Sequence, residues 1–104
     1  MAYHEKNLGS LCIDPAAARI AEIDPYATGE RLYFMRKIVH GLSQEALADA
    51  LYEIRHPVSL VAISRWENGV LPNLVHLKAL AYLYGCKVDD LLVTREPNAQ
   101  VKAA

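Results

Sequence analysis

The chain has 104 residues, 53% of them hydrophobic and 22% charged, and a formal net charge of −1. That mix argues for one domain with a real core and against intrinsic disorder, and the near-neutral balance means that any nucleic-acid contact must come from a local patch. Cys12 and Cys86, with four histidines that share no ligand spacing, exclude a disulfide scaffold and a zinc site; no apolar run approaches the roughly 20 residues of a membrane span. Residues 1–10 lack the apolar core of a signal peptide, so a cytoplasmic protein with free thiols is expected.

In chain order, Asp14-Pro15 pairs a capping residue with the residue best tolerated at a first helical position. This predicts a short helix over 15–23 with Ile20 and Ile23 as its apolar edge, closed by Asp24-Pro25. Thr28-Gly29-Glu30 is expected to open the next helix, in which Leu32, Met35 and Ile38 recur at helical spacing until Gly41 supplies the exit. Arg31, Arg36, Lys37 and His40 make it the most basic segment, a solvated face or a phosphate-contacting one.

Residues 42–69 then read as two short helices. Ser43 caps the first, whose apolar face is Ala46, Leu47, Ala50 and Leu51; the capping box is incomplete because Ala46 stands where Glu or Gln would complete it. Because Pro57 cannot continue it, this helix is expected to run on through Tyr52 and stop before His56, so the turn becomes a small loop. Ser59 caps the second, Ile63 and Trp66 share its buried face, and Asn68-Gly69 is the left-handed exit. Two helices meeting at a short connection make a helix-turn-helix. Beyond it, Asn73 caps a helix with Leu74, Leu77, Leu80, Ala81 and Tyr84 on one face, Gly85 ends it, and Val88, Leu91 and Leu92 mark a short fifth helix. The expected fold is all-α: an N-terminal extension over 1–27, a domain over 28–93 and a frayed tail over 94–104.

The strings LSQEALADAL and ISRWENG resemble the helix-turn-helix of the Cro/repressor-type regulators, the xenobiotic-response-element family. The likeness rests on Leu42-Ser43-Gln44, Leu47-Ala48 and residues 63–69, with Leu80-Ala81, Gly85, Val88 and Leu91 downstream. It implies a five-helix, lambda-repressor-like DNA-binding domain acting on double-stranded DNA, and a sequence-specific transcriptional regulator, repressor or activator, working as a homodimer. In that family the residue four before the glycine is often an Arg paired with the Glu of the WENG-like segment, so Lys37 is expected to meet Glu67, with a point charge where Arg would offer a fork. The family also joins the two helices by a tight turn with a glycine, whereas residues 52–57 add about five residues and no glycine.

A helix-turn-helix sets the start of its second helix in the major groove, which points to Leu60, Val61, Ser64 and Arg65 as base contacts. Arg65 is the main polar reader, suited to guanine O6 and N7, while Leu60 and Val61 can meet only thymine methyls. Ser43 and Gln44 at one helix N-terminus, Ser59 at the other, Asn68 at the exit, and Arg55 and His56 in the loop are the expected phosphate contacts. The rival reading is a protein-interaction module or antitoxin-type regulator, in which exposed Leu60 and Val61 hold a protein partner. No paired carboxylates, activated nucleophile, metal spacing or phosphate loop is present, so neither catalysis nor a cofactor is expected.

Overall fold

The computed structural model describes residues 10, 11, 13–15 and 19–96. Its first helix starts at an Asp-Pro pair, though a later one than the sequence pointed to. Asp24 Oδ1 accepts from the amides of Tyr26 and Ala27 at 3.1 and 3.0 Å, and Pro25 occupies the first helical position, where its missing N–H costs nothing. Helix α1 is Pro25–Tyr33 and runs directly into a π-helical stretch, Phe34–Val39. Thr28, expected to open this helix, lies inside it and is fully buried, its Oγ1 accepting from the Val93 amide at 3.0 Å. The wider π turn carries Ile38 and Val39 outward, so Ile38 is 61% exposed where helical spacing had placed it in the core.

Helix α2 is Gln44–Glu53, with the Ser43 hydroxyl accepting from the Ala46 amide at 3.0 Å and Leu47 and Leu51 buried. Helix α3 is Leu60–Glu67, capped in the same way by Ser59 onto Ala62, with Ile63 and Trp66 buried. Helix α4 is Leu74–Tyr84, where Asn73 accepts from the His76 amide at 2.8 Å. Leu77, Leu80, Ala81 and Tyr84 are buried as expected and Ala79 joins them, but Leu74 is 63% exposed. At the first helical position its Cβ tilts past the helix start, beyond what covers the rest of that face. Helix α5, Val88–Leu91, begins with the Lys87 amide held by the Asp90 carboxylate at 3.0 Å and buries Leu91 completely.

The helix expected over 15–23 is not formed where it is described: residues 19–21 are irregular, and Glu22–Ile23 is a strand, β1, antiparallel to Thr94–Arg95, β2. Residues 16–18 lie outside the described residues. Glu22 sits opposite Arg95, and the Asp24 amide donates to the Val93 carbonyl at 2.8 Å. Strand pairing gives this backbone partners that an isolated turn of helix could not, and Asp24, preceding a proline, is held extended. The apolar edge read from Ile20 and Ile23 buries little, since both are exposed. The tail expected from residue 94 likewise begins as paired strand.

One close approach sets how the helices cross. A Cβ built on Gly29 would lie 2.7 Å from the Trp66 carbonyl oxygen and 2.9 Å from that of Glu67, so α1 packs backbone to backbone on the end of α3. The core between them holds Leu32, Leu47, Leu51, Ile63, Trp66, Leu80, Tyr84 and Leu91. No helix among the described residues is long and apolar enough to cross a membrane.

Candidate nucleic-acid interface

The end of α3 is tied to the turn before α2 by a buried ion pair, and its cation is Arg36. Its Nε donates to Glu67 Oε2 at 2.6 Å and its Nη2 to Oε1 at 3.0 Å, both side chains under 10% exposed. The remaining fork arm, Nη1, reaches the Leu42 carbonyl at 2.7 Å, and the guanidinium lies 5.3 Å from the Tyr33 ring centre. The hydrogen bonds with Glu67 raise the Arg36 pKa further, outweighing the opposite push of burial. Burial, followed by the Glu67 charge, also pushes the nearby Tyr84 hydroxyl far above its ordinary range.

The expected Lys37–Glu67 pair is therefore corrected: Lys37 is exposed, and Arg36 holds the carboxylate. Counting four residues back from Gly41 reaches Lys37 only if the helix keeps α geometry. The π turn spends one more residue before the exit, with His40 N bonding Met35 O, and moves the inward position five residues back. The sequence held one signal for this, since only Arg matches a carboxylate with two parallel N–H donors.

Gln44 is brought to the same cluster, its Nε2 donating to Glu67 Oε1 at 3.1 Å. Its side chain faces the ion pair, and what the start of α2 offers outward is main-chain N–H. In both α2 and α3 the Ser cap satisfies the third amide and leaves the first two to solvent, while each Ser hydroxyl keeps its own hydrogen for an outside acceptor.

Burying Ile63 and Trp66 turns the opposite face of α3 outward. Leu60 and Val61 are 42% and 58% exposed, and Arg65 is exposed one turn beyond Val61. Ser64 is half-buried; its carbonyl accepts from Asn68 Nδ2 at 2.7 Å, so Asn68 spends one of its two amide N–H donors on the helix exit. The four expected base contacts thus share one face, with Asn68 at its far end.

The loop between the helices is built on an exit normally made with glycine. His56 N bonds Leu51 O at 2.9 Å and Arg55 N bonds Tyr52 O at 3.0 Å, the paired bonds of a Schellman exit, and Arg55 takes the left-handed position at φ +66°. The same two bonds close α3 around Gly69. Arg55 is exposed, whereas His56 bonds the Ile54 carbonyl through Nδ1 at 2.9 Å and lines a groove of about 480 Å³ with Val75, Lys78 and Tyr82. The two loop residues expected to act together therefore face different surroundings.

Of the four basic residues between Arg31 and Gly41, Arg36 is consumed by the ion pair, Arg31 donates to the Asp90 carbonyl at 2.6 Å and His40 stacks on Tyr84, while Lys37 is exposed. Glu45, Asp49 and Glu53, four residues apart and all exposed, make the outward side of α2 acidic. Among the described residues no group of three or more His, Cys, Asp or Glu side chains could hold a metal ion. Cys86 is a free thiol whose pKa burial raises, and Cys12 lies outside the described residues.

Two capped helices joined through a short loop, with the second showing one face outward and locked by its last carboxylate to the preceding helix, define a helix-turn-helix of DNA-binding type. Residues 34–91 match the family model described as helix-turn-helix, and since this spans more than half of the chain, the protein belongs to that family, of Cro/repressor type. Such a family is one of DNA-binding regulators and not of enzymes. Comparison with curated proteins found no match, and comparison with solved structures found none either.

Proposed function

We propose that this protein is a sequence-specific transcriptional regulator, resident in the cytoplasm, that lays α3 in the major groove of double-stranded DNA. The observation that carries this reading is the outward face of α3: Leu60, Val61, Ser64 and Arg65 stand together, and the buried Arg36–Glu67 pair holds the helix behind them. Arg65 takes guanine O6 and N7, and the others meet base edges. The free amides and Ser hydroxyls at Ser43-Gln44 and Ser59 hold phosphate oxygens; Asn68, Arg55 and His56 add contacts along the backbone. Gln44 acts here through its main chain and by positioning Glu67. With acidic side chains along α2, nonspecific attraction is weak and the base contacts decide affinity.

The working unit is a homodimer on a site of two half-sites, because one eight-residue helix covers little DNA. Residues 28–93 carry the function, with β1 and β2 closing the domain, and the chemistry requires no cofactor. Selection of bound sequences from a random duplex pool tests the reading; enrichment of a palindromic motif is the expected result. A protein-binding or antitoxin-type role has one observation in its favour, the exposed apolar Leu60 and Val61, and a pool that enriches nothing would favour it.

A further inference from the structure

The first turn of α3, Leu60 to Ile63, carries no side chain able to hydrogen-bond a base; Ser59, its cap, is assigned to phosphate. Leu60 and Val61 are its first two residues, both exposed, and helical Cα–Cβ bonds tilt toward the N-terminus, so their apolar tips project ahead of the helix. The first polar groups on that face come a turn later, at half-buried Ser64 and exposed Arg65. No amide stands there to pair with adenine N6 and N7, and no carboxylate to take cytosine N4. In the major groove the apolar group a natural base pair offers is the C5-methyl of thymine.

We propose, resting on the DNA-binding reading above, that Leu60 and Val61 read pyrimidine C5-methyl groups beside a guanine held by Arg65. The protein then separates methylated from unmethylated pyrimidines, thymine and 5-methylcytosine on one side and uracil and cytosine on the other. Val61 and Arg65 are four residues apart, about 6 Å along the helix, against about 3.4 Å per base step, so the methyl lies within roughly two base pairs of the guanine. Cytosine methylation at that position strengthens binding where a polar reader would be blocked.

The test uses the full chain and duplexes enriched from a random pool. Replacing dT by dU removes only the methyl, and one or two positions should lose about fourfold in affinity, the equivalent of one buried methyl group. At those positions 5-methylcytosine should bind about fourfold better than cytosine. Leu60→Ala and Val61→Ala, exposed positions whose folding is checked by circular dichroism, should each erase the difference at one position and keep the preference for guanine. Equal binding of dU and dT duplexes at every position, while Arg65→Ala still loses affinity, overturns the methyl reading alone. A pool that enriches no sequence overturns the DNA-binding reading and this inference with it.

Discussion

Arg36 and Lys37 are adjacent cations with opposite fates, and their substitution separates them. Removing Arg36 leaves the Glu67 carboxylate buried without its cation, which costs about 3–5 kcal/mol, whereas Lys37→Ala should fall within about 0.5 kcal/mol of wild type. Denaturant melts of both variants, with a double-mutant cycle between Arg36 and Glu67, decide it; coupling below about 0.5 kcal/mol would dissolve the pair. Tyr84 adds a pH signature. Its pKa is raised above the ordinary 10.0 by burial, so its contribution to stability is complete below that value and is lost as pH rises above it. Tyr84→Phe should make stability less steep in pH above 10 than it is in the wild type, and parallel curves would argue against a buried phenol. Arg55 holds a left-handed backbone that costs a non-glycine residue about 1–2 kcal/mol. After the entropy that glycine restores to the unfolded chain, Arg55→Gly should raise stability by about 0.5–1 kcal/mol while lowering the salt slope of DNA binding by about one. A destabilised Arg55→Gly would mean that the side chain supports the loop.

Among elements, the crossing of α1 over α3 has least room to change. Gly29→Ala would place a methyl within 3 Å of two carbonyl oxygens of α3, and backbone cannot step aside as a flexible side chain can. A loss of about 1–3 kcal/mol in denaturant melts is expected, and a neutral result would show that the helices can separate slightly at no cost. Most elements were legible in the sequence because their signals are local. Ser43, Ser59 and Asn73 each cap the helix expected of them, and Leu47, Leu51, Ile63 and Trp66 point inward as their spacing required. The misses are of another kind. Asp14-Pro15 and Asp24-Pro25 are the same signal in two places, and Asp24-Pro25, read as a stop, begins α1. The π turn at Phe34–Val39 left no periodic trace in the sequence, so the inward cation was displaced by one residue. Strands of two residues, Glu22–Ile23 and Thr94–Arg95, exist through each other across some seventy residues of chain, and neither alone has an alternating pattern long enough to register.

At the scale of the molecule, the segment before α1 and the segment after α5 pair with each other. The β1–β2 pair, the Asp24 amide on Val93 and buried Thr28 bonding the Val93 amide fix α1 to the segment after α5. From that frame Gly29 and the Arg36–Glu67 pair hold α3 in place, and the groups left outward on α3 are those that resemblance had named: Leu60, Val61, Ser64 and Arg65. The candidate site was legible at this level because a motif marks which residues begin the second helix. The inward turn of the Gln44 side chain was not, since it depends on where the Glu67 carboxylate ends up.

If base contacts from α3 dominate binding, fluorescence anisotropy at one fixed salt concentration will show it when wild type and Arg65→Ala are compared on an enriched duplex and a scrambled one. The wild type should prefer the enriched duplex by at least about 10³-fold, and Arg65→Ala should lose about 1–3 kcal/mol on that duplex and little on the scrambled one. Equal affinity of the wild type for both duplexes, or equal losses on both for Arg65→Ala, would contradict it.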